Sequence, residues 1–212
     1  MKCVDNFNTV YPRFASQKVN GNYVVTEPQN QGTRKFQKLT LSNVSGEAFP
    51  HELPGALCSF ISKANHKGIL SSNCDGILFM EHEGQKYIVL TELKSGYILE
   101  DIVHAKDQLV ATYVNLVGTM STLQDFRLDE YKVCGIIAAF EPTLEQISNL
   151  KGDDYKAYFA NKLQQDCAYS MPATKCQGFY APLNVNDFHL YYIPVPQNQI
   201  RHTASLLDVL RL

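Results

Sequence analysis

The sequence predicts an α/β protein in which a mixed central sheet is flanked by helices. The segments 74–81 and 85–95 carry apolar residues at both alternating positions, as strands do when both of their faces are covered. The stretch 98–117 has a single apolar stripe at helical spacing, which predicts a long amphipathic helix. The segment 131–140, YKVCGIIAAF, has the composition of a further buried strand.

Composition limits the classes of function. The chain has 212 residues, 45% of them apolar, which is enough for one domain with a substantial core. Its 19 Lys and Arg residues against 21 Asp and Glu residues exclude a protein that binds nucleic acid by bulk positive charge. A Gly-rich phosphate loop is absent from the sequence, which argues against an NTPase or a dinucleotide enzyme.

The cellular setting follows from cysteines and hydropathy. The six cysteines form no CxxC pair and have no metal-ligand spacing, so we expect reduced thiols in a cytoplasmic protein. No apolar run approaches the roughly 18 residues of a membrane helix, so we expect no membrane partner. The sequence leaves the oligomeric state open.

The first half of the chain begins with a predicted β-hairpin in residues 1–45, where Asn20-Gly21 gives a turn signal before a β-branched run. Residues 52–65 place apolar side chains at helical spacing and predict a helix. The next two strands are joined by a short turn that contains Glu83-Gly84.

The second half continues the alternation of helices and strands beyond residue 140. Its patterns predict two helices, a surface loop, another strand and a short terminal helix, at 141–150, 153–166, 167–182, 187–195 and 205–210 respectively.

Asp75 and Glu92 are the carboxylates that carry the functional prediction. If the turn is centred between Glu83 and Gly84, antiparallel pairing places residue 78 opposite 89 and Asp75 opposite Glu92. Two charges about 5 Å apart repel by roughly 3 kcal/mol at an effective dielectric of 20. Lys94 lies two residues beyond Glu92, so strand periodicity puts it on the same face.

This arrangement favours a hard divalent cation such as Mg²⁺ or Mn²⁺, which turns the repulsion into attraction. Lys94 is then available to orient or deprotonate a water, or to stabilise charge on a phosphate. The same residues also fit a bland alternative, a strand-end ion pair of Glu92 and Lys94 with Asp75 as a turn residue.

The acid-x-base tripeptide alone has little specificity, because it occurs four times in the chain. Only the first copy ends an apolar strand and has a partner acid in register on the preceding strand. The four copies are Glu92-Leu93-Lys94, Asp125-Phe126-Arg127, Glu130-Tyr131-Lys132 and Asp154-Tyr155-Lys156.

The order of elements around these residues resembles the core of the PD-(D/E)XK nuclease superfamily. The resemblance lies in a helix, the strand from Asp75 to Phe79, the strand from Ile88 to Lys94, a long helix and another strand. It implies a single domain, 1–212, with a restriction-endonuclease-like αβββαβ-type core at about 47–140. The N-terminal β-hairpin extension is 1–46, and a C-terminal α/β extension is 141–212.

The resemblance also implies roles for individual residues. Asp75 and Glu92 bind the metal, the Leu93 carbonyl is a further ligand, and Lys94 is the catalytic lysine. Cys74 stands where the motif has a proline.

Members of the superfamily often add an acid from the first core helix, and Glu52 is the candidate here, with Glu47 as the fallback. A carboxylate in the first turn of a helix is also favoured by the helix dipole alone. Some members carry a glutamine and a tyrosine four residues apart on the later helix. Gln108 and Tyr113 are five apart, so Gln108 is assigned to the catalytic group against the alternative of a solvated helix surface.

Arg34, Lys35 and Lys38 are the candidate contacts to a phosphate backbone, with a solvated hairpin surface as the alternative. The leading hypothesis is a Mg²⁺- or Mn²⁺-dependent nuclease that acts on DNA, with RNA as the alternative substrate. Two other hypotheses stay open. One is a nuclease-like fold with weak or no catalysis that serves as a nucleic-acid- or protein-binding module. The other is a small-molecule enzyme or unclassified α/β protein.

Overall fold

The fold is that of an α/β protein with one mixed sheet, as the sequence predicts. It was analysed in a computed structural model. The residues that the structure describes are 1–27, 36–58, 72–96, 99–141, 143, 145, 169–170, 188–197 and 199–212.

In the described residues, pairs or longer runs of strands lie between the helices, with short 3-10 turns at Pro12–Phe14 and Leu128–Glu130. In chain order the elements are α1 (Lys2–Val10), β1 (Gln17–Thr26), β2 (Lys38–Ala48), α2 (Glu52–Cys58), β3 (Gly76–His82), β4 (Gln85–Lys94), α3 (Leu99–Met120), β5 (Tyr131–Phe140), β6 (Tyr169–Ser170), β7 (Phe188–Val195), β8 (Arg201–Ser205) and α4 (Leu206–Leu210).

The eight strands form one sheet with the order β1-β2-β3-β4-β5-β7-β6, and β8 pairs with β2. Strands β1 to β4 are antiparallel neighbours, whereas β5 is parallel to both β4 and β7. One edge of β2 is shared, because residues 38–42 pair with β8 and residues 46–48 pair with β3. The change from antiparallel to parallel pairing therefore occurs at β4.

Both faces of the central strands are buried, which confirms the prediction from their apolar pattern. One face of β3 and β4 packs in a cluster with α1, α2 and α3, and the other packs with β1, β2 and α4. On the first face lie Ile77, Phe79, Ile88 and Leu90, and on the second lie Leu78, Met80, Tyr87 and Val89.

The β3–β4 hairpin has the predicted register. Glu83 and Gly84 both have positive φ, at 48° and 80°, as a two-residue type I′ turn requires. Residue 78 lies opposite 89, and the ladder ends with Gly76 opposite Thr91. Continuing this register by one step puts Asp75 level with Glu92.

The N-terminal segment differs from the predicted hairpin in two ways. Residues 2–10 form α1, because Cys3, Val4 and Phe7 make a short apolar stripe that packs on the sheet. Asn20-Gly21 is not a turn but part of a β-bulge, where the register of β1 and β2 shifts after Gly21. Turns and bulges both use positive φ, and Gly21 has a φ of 103°, so the same dipeptide fits either structure.

The described residues show only part of the predicted αβββαβ arrangement. In the described residues two strands, β3 and β4, lie between α2 and α3. The third strand of this group is β2, which precedes α2 in the chain but pairs with β3. The mixed α/β class is thus established, whereas the restriction-endonuclease-like fold stays a proposal.

The remaining predictions are either confirmed or lie outside the described residues. The strands at 131–140 and 187–195 and the terminal helix are confirmed as β5, β7 and α4, while β8 was not predicted. The predicted helix 153–166, most of the helix 141–150, residues 59–65 of the first core helix and most of the loop 167–182 lie outside the described residues.

Two further expectations concern thiols and membranes. Cys3, Cys74 and Cys134 are buried free thiols. Among the described residues, no helix has the length and apolar character needed to cross a membrane.

Gly46 marks a close approach of β2 to β3. A Cβ added to Gly46 would lie 2.3 Å from the Phe79 carbonyl oxygen, so a larger residue must push the two strands apart. We expect Gly46→Ala to lower the free energy of unfolding by about 1–3 kcal/mol in urea titrations. Gly118→Ala is the matched control, since Gly118 is an exposed helical position where an added Cβ would meet no atom of a neighbouring residue within 4 Å. This substitution should raise the free energy of unfolding by about 0.5–1 kcal/mol. Equal effects of the two substitutions would contradict the close approach.

Candidate active site

Asp75 is held against the end of β4 by two hydrogen bonds. It lies in the bend just before β3, and its backbone N–H donates to the Thr91 carbonyl at 2.9 Å. Its Oδ2 accepts from the Leu93 N–H at 2.8 Å. Thr91 and Leu93 lie directly before and after Glu92 in the sequence, so these two hydrogen bonds bring Asp75 close to Glu92.

Glu92 is a buried acid with only one of its oxygens satisfied. The residue is 2% exposed, and Oε1 accepts a hydrogen bond from Lys94 Nζ at 2.6 Å. Oε2 is also buried, and no group of the described residues donates a hydrogen bond to it. Because a buried oxygen without a partner is costly, Oε2 is the atom of this site that most needs a positively charged or hydrogen-bonding ligand.

Helix α3 holds both Lys94 and the segment before Asp75. Lys94 Nζ donates to Gln108 Oε1 at 2.6 Å, and Gln108 Nε2 donates to the Asn73 carbonyl at 2.8 Å. One helical turn later, Thr112 Oγ1 accepts from the Cys74 N–H at 2.8 Å. Gln108 is therefore partly buried and hydrogen-bonded to Lys94 rather than solvated on the helix surface, and its assignment to the catalytic group stays a prediction.

Thr112 is a site residue that the sequence analysis missed. It is fully buried in α3, four residues after Gln108 and on the same side of the helix. That spacing is the signal in the sequence that points to Thr112, since a threonine on a buried helical face needs a hydrogen-bond partner.

Burial dominates the electrostatics of both acids. Loss of solvent raises the pKa of Asp75 to about 6, with a further increase from the charge of Glu27, while the Leu93 N–H and Lys94 act in the opposite direction. Burial and then the Asp75 charge raise the pKa of Glu92 well above its usual range, and Lys94 opposes them. The positive charge of Lys94 therefore does not offset the effect of burial and of the neighbouring carboxylates on the pKa of either acid.

The predicted ligands Asp75, Glu92 and Leu93 lie at the end of β4, and their role in metal binding stays a prediction. Asp75 and Glu92 provide carboxylate oxygens, and the Leu93 carbonyl lies on the same edge of β4 as the N–H that bonds Asp75. No three His, Cys, Asp or Glu side chains within the described ranges lie close enough together to hold one metal ion. The donor set that the structure presents is therefore two carboxylates and one backbone carbonyl.

The acids predicted from the first core helix have other contacts. Glu52 begins α2, its side chain is 59% exposed, and it lies 3.3 Å from His51 Nδ1. Glu47 Oε2 accepts from the Ser16 hydroxyl at 3.0 Å. Among the described residues, no hydrogen bond or ion pair links either acid to Asp75 or Glu92. Glu27 is instead the further acid whose charge acts on both.

The predicted phosphate contacts are described only in part. Lys38 begins β2, where it pairs with Arg201 of β8, so these residues bring two basic side chains to neighbouring positions. Arg34 and Lys35 lie outside the described residues. Their assignment to DNA binding stays a prediction.

No protein-family model, curated protein or solved structure matches this chain. The resemblance to PD-(D/E)XK nucleases therefore rests on the site residues and the order of the elements alone.

The raised pKa of Asp75 gives a test of the buried charge in the metal-free protein. Asp75 contributes stability that is fully present below pH 3.8 and is lost as the pH rises through about 6, because the folded state binds its proton more tightly. Asp75→Asn keeps an acceptor for the Leu93 N–H but removes the charge. We expect this variant to match the wild type near pH 4 and to exceed it by about 1–3 kcal/mol near pH 8.

Urea unfolding across this pH range in EDTA measures the difference. Asp129→Asn is the control, since Asp129 is an exposed acid of the turn Leu128–Glu130, and it should follow the wild type at every pH. If the difference in free energy of unfolding between Asp75→Asn and the wild type did not increase with pH, the account of the buried charge would be contradicted.

Proposed function

We propose that this protein is a Mg²⁺- or Mn²⁺-dependent nuclease that hydrolyses phosphodiester bonds in DNA, with a PD-(D/E)XK-type active site. The observation that carries the proposal is the buried group of Asp75, Glu92 and Lys94, in which Glu92 Oε2 has no donor among the described residues. A fold gains no stability by burying two acids beside one base, so the arrangement favours a functional role.

The donor chemistry fits a hard cation. Carboxylate and carbonyl oxygens are the ligands that Mg²⁺ and Mn²⁺ prefer, and Asp75, Glu92 and Leu93 provide them. A dication bound by these residues supplies positive charge for a phosphoryl group and makes a bound water more acidic.

The residues of the chain have separate tasks in this proposal. Glu92 and Gln108 hold the Lys94 ammonium from two sides, so its position is fixed before a substrate arrives. There it orients the attacking water or stabilises negative charge on the phosphate. The Leu93 N–H fixes the orientation of the Asp75 carboxylate, as groups behind a ligand commonly do.

The overall charge is compatible with DNA as the substrate. The net charge of -2 includes the two site acids, and a bound dication brings the formal charge to about zero and reverses the local field. Lys38 and Arg201, with Arg34 and Lys35 from the segment between β1 and β2, are the bases proposed to contact the DNA backbone.

A cleavage assay tests the function. Plasmid, linear and single-stranded DNA, and RNA, are incubated with Mg²⁺, Mn²⁺ or EDTA. We expect metal-dependent DNA cleavage that falls by at least about 10²-fold in Asp75→Asn, which removes a proposed metal ligand, and in Lys94→Ala, which removes the ammonium proposed to act on the water or the phosphate.

Lys132→Ala is the matched control for Lys94→Ala. Lys132 is an exposed lysine that also ends an acid-x-base tripeptide, so this variant should retain wild-type activity. Absence of metal-dependent cleavage on every substrate would contradict the nuclease proposal, and cleavage that survives both site substitutions would contradict the site. Binding without cleavage would favour the alternative of a nucleic-acid-binding module.

A further inference from the structure

We propose that Glu27 is the third acid of this site, and that it contributes to cation binding by accepting hydrogen bonds from water molecules of the bound cation. The inference rests on the proposed metal-dependent function and extends it to the hairpin β1–β2. Glu27 lies outside the segment 47–140 to which the resemblance applies.

The path of β1 brings this strand over the start of β3. The Tyr23 hydroxyl donates to the Ile77 carbonyl at 3.5 Å. Val25 lies against Gly76, since a Cβ added to Gly76 would be 3.1 Å from Val25 Cγ2. The same added Cβ would be 2.6 Å from the Tyr23 hydroxyl, so Tyr23 and Val25 both lie against the start of β3.

Strand alternation then places Glu27 next in this series. Tyr23 and Val25 are buried, whereas the residues between and beside them, at 22, 24 and 26, are exposed. Glu27 has the parity of the buried residues and is partly buried. Its N–H donates to the Gln37 carbonyl at 3.2 Å, so the β1–β2 ladder continues to this position. A step of two residues along a strand is about 6.6 Å, so Glu27 lies one such step beyond Val25, which is placed against Gly76, the neighbour of Asp75.

Glu27 approaches from the face opposite to α3. Tyr23 and Val25 belong to the cluster on that face, whereas Lys94 contacts Gln108 on the α3 side. The two sides meet at the sheet edge where β3 begins. The charge of Glu27 raises the pKa of both Asp75 and Glu92, as expected for a carboxylate at that edge.

Two observations define what Glu27 does there. The buried Glu92 Oε2, which has no donor among the described residues, indicates that the site is completed by a ligand. Within the same residues, however, no three acid side chains converge closely enough to hold one ion. Glu27 therefore acts through water rather than as a direct ligand, and substitution of such an outer partner typically costs 10- to 100-fold in affinity, as an order of magnitude.

Calorimetric titration with Mn²⁺ alone tests this assignment without an activity readout. The variants are Glu27→Gln, Asp75→Asn and the control Glu81→Gln, which alters an exposed acid of β3. We expect Glu27→Gln to weaken Mn²⁺ binding by about tenfold or more. Asp75→Asn should abolish binding, and Glu81→Gln should bind as the wild type does. Circular dichroism in EDTA verifies that each variant is folded.

The outcomes separate the two proposals. Mn²⁺ binding that depends on Asp75 but is unchanged in Glu27→Gln would overturn the role of Glu27 and leave the proposed function intact. A wild-type protein that binds no Mn²⁺ would overturn both proposals.

Discussion

The two-residue turn Glu83-Gly84 determines how β3 pairs with β4, and the site depends on that pairing. With this register, Ile88 and Leu90 face the helices, and Glu92 follows them at the same parity and meets Lys94 and α3. A slip of one residue would send every side chain of β4 to the opposite face. The turn that organises the core therefore also brings the charged residues together.

The site is held by hydrogen bonds from two elements, β4 and α3. The backbone of β4 bonds Asp75, and Gln108 and Thr112 of α3 bond Lys94 and the two residues before Asp75. These bonds hold two acids whose pKa values are raised by burial. Keeping such acids ionised lowers the stability of the folded protein. Rigid support of an unfavourable charge group is the pattern of sites in which stability is given up for function.

Local sequence patterns predicted an element correctly where the periodicity within that segment was clear. Periodicity predicted β3, β4, α3 and β5, and the centre of one turn predicted the register of the acids. The same reasoning missed α1 and β8, because their sequence patterns are short and both elements are stabilised by packing on or pairing with the sheet. It also took Asn20-Gly21 for a turn, because the positive φ that glycine allows serves turns and bulges alike.

The candidate site shows the same limit. Asp75, Glu92 and Lys94 were found from spacing within one hairpin. Thr112 joins them through a hydrogen bond, and Glu27 acts on them through its charge, from distant parts of the chain. The most direct test of the central claim is a crystal structure of the protein soaked in Mn²⁺, with anomalous scattering recorded for the metal. We expect an anomalous peak within ligand distance of carboxylate oxygens of both Asp75 and Glu92, with Glu92 Oε2 among them. A well-ordered site without a peak, in which Glu92 Oε2 is bonded to a donor of the protein itself, would contradict the account.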